Sequence, residues 1–192
     1  MKLRSTSLAL LALATTFVAA ASAAVETYKI DTAHSAVGFD IRHFFTKVPG
    51  TFNKVSGTIV VDRDNLEQSK VEATIDVATI NTREEKRDSH LKSGDFFLAE
   101  KFPAITFKSK SWKKTGDDTF DVTGDLTIKD TTKEVVLQTK LLGFGPGARG
   151  AMLSGWEAKT TLDRRDYGIS YGQGAVGNEV DVRIDIEAVL QK

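Results

Sequence analysis

A chain of 192 residues with 26 basic and 26 acidic side chains has no formal net charge, so it lacks the basic surface that a nucleic-acid partner requires. The absence of cysteine excludes a disulfide framework, a thiol nucleophile, a cysteine-ligated metal and a lipoprotein anchor, and leaves stability to ordinary packing.

The first element is a leader. Lys2 and Arg4 precede an apolar run from Leu8 to Ala20, broken only by Thr15 and Thr16, and Ala21-Ser22-Ala23 is a small-x-small cleavage site. Residues 1–23 therefore read as a secretory signal peptide cut near Ala23 or Ala24, which sends the remainder to the periplasm without a stable membrane anchor. The apolar run is shorter than the roughly 20 residues of a spanning helix. Losing Lys2 and Arg4 leaves 24 basic against 26 acidic residues in 24–192, a length suited to a single domain.

Past Asp31, apolar and polar residues alternate with a period of two. Val37, Phe39, Ile41, His43 and Phe45 share one face of the first segment, and Val71, Ala73, Ile75 and Val77 share one face of the third. Phe120, Val122, Leu126 and Ile128, then Val182, Ile184 and Ile186, repeat the pattern, with Phe107 and Trp156 on the corresponding faces of their own segments. The alternation predicts eight half-buried strands at about 36–45, 54–62, 70–78, 104–112, 118–129, 133–143, 151–162 and 179–190. Short polar links between several of them favour antiparallel neighbours, and the lack of strand–helix alternation removes parallel α/β folds. An eight-stranded sheet with one wet face closes into a barrel or folds into a sandwich.

Two connections are longer. In 79–103, Thr82-Arg83-Glu84-Glu85 reads as a capping box before a short helix that Gly94 can end, followed by Phe96, Phe97 and Phe102. The second, 163–178, holds Gly168, Gly172, Gly174 and Gly177 with Tyr167 and Tyr171. These segments either cover the mouth of a hollow barrel or plug a solid one.

Several motifs have ordinary explanations. Gly172–Gly177 matches G-x-G-x-x-G but leads into a strand, where a dinucleotide phosphate would find no helix N-terminus, so no cofactor is expected. Asp31, His34 and Ser35 hold the residue types of a hydrolase triad, yet lie almost contiguously and without a nucleophile elbow, which suits a backbone-fixing bend. His34, His43 and His90 lack the spacing of a shared metal site, and Asp62–Glu67 reads as a solvated turn. His43 is a lone polar residue on an apolar face, whose partner is a ligand head, a water or a neighbouring strand.

The ordered motifs resemble the YceI-like family of bacterial periplasmic proteins. Tyr28, Ile30, Asp31, His34, Ser35, Val37, Phe39 and His43 match its opening pattern, followed by Gly50 and Phe52. Arg87, Asp88, His90 and Leu91 match R-D-x-H-L, and Asp95, Phe96 and Phe97 precede a Phe102-Pro103-x-Ile105-x-Phe107 run. Gly124, Leu126, Thr127 and Ile128, then Arg164, Asp166, Tyr167 and Gly168, complete the match. "KDTTKEVVL" departs from the family by lacking a proline, and "FGPGARGAML" is unusually rich in glycine.

The resemblance implies an all-β fold: an extended eight-stranded antiparallel lipocalin-like barrel holding a long isoprenoid, such as a quinone or polyprenyl chain. Phe39, Ile41, Ile75, Phe107, Phe120, Val122, Trp156 and Ile184 would line the lumen, with His43 near a polar head and Phe96, Phe97 and Phe102 guarding an entrance. No catalytic residue and no metal are assigned. The other readings are a ligand-free barrel acting through protein contacts, or a lipid esterase using His34 and Ser35. A ten-residue strand spans about 33 Å, or about 25 Å along a barrel axis tilted near 40°. A longer tail must bend, protrude, or continue into a second subunit, so a homodimer is one solution.

Overall fold

The computed structural model describes residues 25–192, so the predicted leader at 1–23 lies outside the described residues. In chain order the elements are β1 (Glu26–Ile30), β2 (Ala36–His43), β3 (Thr46–Phe52), β4 (Val55–Val61), β5 (Lys70–Asp76), β6 (Ile80–Asn81), α1 (Glu85–Lys92), β7 (Ala104–Lys114), β8 (Thr119–Ile128), β9 (Thr131–Pro146), β10 (Met152–Asp163) and β11 (Val176–Leu190). β1 continues into β2, β3 into β4, and β5 into β6, so the eleven segments make eight antiparallel staves. β11 closes the ring: one edge pairs with β10, and the other pairs with β2 through Val176–Asp185 and with β1 through Ala188–Leu190. The result is the closed eight-stranded barrel with one short helix that the resemblance implies.

The first two staves differ from their sequence outline. Periodicity overlooks 26–30 and 46–52, and it runs the first strand to 45 where β2 ends at His43. β3 hides behind Pro49 and Gly50, which read as turn residues. Pro49 faces Asp40 across the β2 ladder, while the outer edge of β3 is covered by β6 only at Thr51 and Phe52. A proline is tolerated on such a local edge.

The break between β1 and β2 is a stitched seam. The Asp31 amide donates to the Glu187 carbonyl at 2.8 Å, and the Ser35 hydroxyl both donates to that carbonyl and accepts the Glu187 amide, each at 3.1 Å. The His34 Nδ1 lies 2.9 Å from Asp31 Oδ2. Asp31, His34 and Ser35 therefore fix a bend. Ser35 is buried with its hydroxyl held by the β11 backbone, and the His34 ring is bonded to Asp31 rather than to that hydroxyl, so no nucleophile–base pair forms.

Alternate connections gather at one end, called here the upper end: the β2–β3 turn, the 82–103 segment, the β8–β9 turn and the 164–175 loop. In the 82–103 segment the cap differs from the capping-box expectation. Glu84 is the N-cap, its carboxylate accepting the Lys86 and Arg87 amides, and α1 ends at Ser93 in extended conformation rather than at Gly94. Thr82 instead donates its hydroxyl to Asp88 Oδ1 at 2.5 Å and accepts Arg87 Nε at 2.8 Å, tying α1 to the end of β6.

The glycine loop is held by one cation. Arg164 is 5% exposed, and its guanidinium donates to the carbonyls of Gly177 (2.7 Å), Ile169 (3.2 Å), Tyr171 (2.6 Å) and Val176 (3.2 Å). Burial lowers its pKa without a carboxylate bonded to it, because Asp163 is engaged by Arg165 at 2.5 Å and held down to about 2. Arg164→Met strips the donors from these carbonyls, and it is expected to lower the unfolding free energy by about 3 kcal/mol, read from urea midpoints.

The seam generates a pH prediction. Hydrogen bonding to Asp31 raises the His34 pKa from its ordinary 6.5, so that contribution is complete below about 6.5 and lost as pH climbs through the raised value. His34 lowers the Asp31 pKa from 3.8, so its contribution is present above 3.8 and lost as pH falls through the lowered value. The stability difference between wild type and Asp31→Asn is therefore expected to be largest between about pH 4 and 6.5. Urea midpoints at pH 3, 5 and 9 check this; a difference that is flat across the three excludes the pair as its source.

Candidate functional site

The inward faces do not meet across the barrel axis. They enclose a cavity of about 410 Å³, lined almost entirely by carbon and fed by every stave. Phe39 and Ile41 come from β2, Ile75 from β5, Phe107 from β7, Val122 from β8, Trp156 from β10 and Ile184 from β11. Phe96 and Phe97 of the 82–103 segment also line it.

Phe120, expected in the lining, and Phe102, expected at an entrance, both lie off the cavity. Phe120 is fully buried, its ring 5.9 Å from that of Trp112, in the wall near the lower end. Phe102 is half-buried outside the lining, with Lys101 Nζ 5.0 Å from its ring centre. His43 does line the cavity, but at the rim: it is solvent-exposed, with its ring edge-on to Phe44 at 4.8 Å, and is no buried core histidine.

Glycines shape the lumen by receiving rings. A Cβ at Gly50 would sit 2.2 Å from the Phe39 ring, and one at Gly124 would sit 2.5 Å from the Phe107 ring. Each phenyl group therefore lies flat against a glycine on the neighbouring stave, the arrangement known as aromatic rescue of glycine. The ring fills the slot in the wall and leaves the axis open.

Strict alternation misses lining and sealing residues where the period breaks. A bulge between Ser109 and Ser111 shifts the phase of β7, so Trp112 turns inward although it stands an odd number of positions from Phe107. In β9, Leu141 pairs with Trp156 and Gly143 with Gly155, so Leu142 is the extra residue and Phe144 returns to the interior. Trp112, Trp156, Phe144 and Tyr28 then form a chain of ring contacts 5.5–5.9 Å apart across the lower end, with the Arg63 guanidinium 3.8 Å over Phe144.

Polar groups gather at the upper end. Thr82, Arg87, His90, Arg164 and Tyr171 join the lining there. His90 Nε2 is 2.7 Å from Asp95 Oδ2, and its ring packs edge-on against Phe96 and Tyr171 at 5.1 and 4.9 Å. Tyr167 is buried in the same rim, which pushes its hydroxyl up to about 12 and keeps it protonated. Among the described residues, the group with metal-ligating atoms gathered within 4.8 Å is Asp31, His34 and Glu187. It belongs to the seam, is absent from the cavity lining, and already engages its histidine in a hydrogen bond. The histidines His34, His43 and His90 do not converge.

Among the described residues, no helix is long and apolar enough to cross a membrane. The outward faces carry ion pairs such as Lys108–Glu72 at 2.7 Å and Lys110–Asp125 at 2.6 Å.

The arrangement has known counterparts. The YceI-like domain matches residues 28–188. Protein YceI of Escherichia coli O17:K52:H18 is 40% identical over 185 residues, covering 95% of this chain and 96% of its own. The crystal structure of Burkholderia cenocepacia BcnA superposes with a TM-score of 0.75 at 23% identity, covering 82% of this chain and 98% of that one. A polyisoprenoid binding domain from Saccharophagus degradans, implicated in plant cell wall breakdown, gives a TM-score of 0.69 at 14% identity over 85% of this chain and 98% of its own. With the family pattern spanning the whole barrel and a relative this similar along almost the full length, the chain belongs to the YceI-like family.

Proposed function

We propose that this protein is a non-enzymatic periplasmic carrier or store for a long isoprenoid or quinone-type lipid, held in the barrel lumen. The observation that carries the reading is the continuous apolar void. At about 24 cal/mol per Å³ of residual cavity, 410 Å³ left unfilled costs about 10 kcal/mol, as much as the whole stability of an ordinary domain. A hydrocarbon guest removes that cost, and each CH₂ it buries contributes about 0.8 kcal/mol. The size also falls in the range of ligand pockets. The Saccharophagus degradans domain named for polyisoprenoid binding supports the choice of an isoprenoid over other long-chain lipids.

Phe39, Ile41, Ile75, Phe107, Val122, Trp156 and Ile184 hold the tail in this reading, Phe96 and Phe97 flank its entry, and His43 stands at the rim near a polar head. The periplasmic assignment rests on the leader at 1–23.

Protein purified without detergent and extracted with organic solvent is expected to release an isoprenoid lipid on mass spectrometry. A clean extract from folded protein overturns the reading. Ala73 and Ala158 both line the cavity and supply a second check. In a packed interior Ala73→Leu or Ala158→Leu would cost about 1–3 kcal/mol by overpacking. In a hollow lumen the added carbons occupy void, so the doubly substituted protein is expected to keep or raise its lipid-free thermal midpoint while co-purifying with several-fold less lipid.

A further inference from the structure

At the upper rim, just outside the lumen, the turn between β2 and β3 presents two adjacent aromatic rings to solvent. Phe45 is 97% exposed and Phe44 60% exposed, and neither lines the cavity. The turn is held in this pose. The Phe44 amide donates to the Ala175 carbonyl at 2.9 Å, and the Arg42 guanidinium donates to the Phe45 carbonyl at 3.1 Å. Phe44 itself has φ +46°, a left-handed backbone conformation that favours Gly or Asn in a tight turn. Neither local conformation nor core packing calls for phenylalanine at either position.

The formal charges on the tip itself are positive. From Ile41 to Val48 the chain carries Arg42 and Lys47 and no carboxylate, Lys47 reaching Asp181 of β11 at 2.7 Å, and the adjoining 171–178 stretch carries no charge. Tyr171, 50% exposed, adds a third aromatic side chain at the same end. Aromatic rings flanked by cations suit a bilayer interface, where rings enter the acyl boundary and cations meet anionic head groups. A second copy is a poorer fit. The exposed parts of Phe44 and Phe45 amount to about 300 Å² per copy, so the two rings alone would supply about 600 Å² to a symmetric contact, short of the roughly 1,000 Å² of a specific interface.

We infer that the β2–β3 tip docks the barrel on an anionic lipid bilayer, with the lumen mouth beside the membrane surface. The inference rests on the carrier reading for its purpose, since a mouth set against a bilayer lets a lipid pass without crossing water.

The test is co-sedimentation with vesicles of phosphatidylethanolamine and phosphatidylglycerol. Wild type is expected to bind reversibly, and Phe45→Ser and Phe44→Asn each to lower the partition coefficient by roughly 10-fold. Thermal midpoints should not fall, and co-purifying lipid should not change. Phe45→Trp is expected to shift its emission to the blue on vesicles and to be quenched by brominated acyl chains. No vesicle binding by wild type, or equal binding by Phe45→Ser, overturns the inference. Loss of a wild-type dimer in Phe45→Ser without a change in vesicle binding overturns it in favour of a second copy. Vesicle binding is scored without reference to lumen contents, so docking by a lipid-free barrel refutes the carrier alone, and a lipid-loaded barrel that ignores vesicles refutes the docking alone.

Discussion

The architecture depends on one strand serving two partners on the same edge. β11 pairs with β2 as far as Asp185 and with β1 from Ala188, and the changeover falls at Glu187. A sheet whose first stave broke there without compensation would expose backbone donors and acceptors on both sides of the gap. Asp31 and Ser35 prevent this by giving both backbone groups of Glu187 a partner. Closure of the barrel, and with it the existence of an enclosed apolar space, follows from that local repair. The residue types that resemble a hydrolase triad are thus spent on keeping a β-sheet continuous.

Closure alone does not make a hollow. Eight staves give an interior that side chains can just fill, or that holds one small ligand, and the balance is tipped by where the large rings go. Phe39 lies on Gly50 and Phe107 on Gly124, so each aromatic contributes to the wall instead of crossing the axis. Small residues at these positions do not themselves supply the empty volume. They let neighbouring rings lie back, which is how a lumen rich in phenylalanine retains 410 Å³.

Most of the barrel is legible in sequence because a strand with one wet face writes its orientation into alternate residues. Ile75, Val122, Trp156 and Ile184 fall on the cavity wall for that reason alone. The reading fails wherever a residue is added to the period. The bulges at 109–111 and at Leu142 invert the phase and conceal Trp112 and Phe144; Ser109 to Ser111 carries no signal of the first, whereas Gly143, with φ +144°, marks the second. β3 is concealed for the opposite reason, since Pro49 and Gly50 announce a turn that the chain does not make. Phe120 marks a further limit: the alternation gives its inward direction, but its position along the axis, in the sealed lower end, depends on stagger between staves. Arg164 is visible as a motif residue, whereas its four carbonyl contacts depend on a loop path that composition does not encode.

The two ends of the lumen differ in chemistry, and the difference sets the direction of a guest. The lower end is closed by the ring contacts among Trp112, Trp156, Phe144 and Tyr28, with carbon surface facing inward. The upper end carries Thr82, Arg87, His90, Arg164 and Tyr171, where Arg87 bonds Thr82, His90 bonds Asp95 and Arg164 bonds backbone carbonyls. A polar head driven to the lower end would exchange its hydration for an aromatic wall in which the buried Trp112 indole N–H is an unpaired donor. At the upper rim it keeps contact with water and with His43 while the tail fills the tube. An isoprenoid too long for an axis of about 25 Å would then fold back or emerge at the same end, because the lower end is sealed. On the proposed carrier reading, entry, exit and any excess length all fall to the rim that carries Phe44 and Phe45.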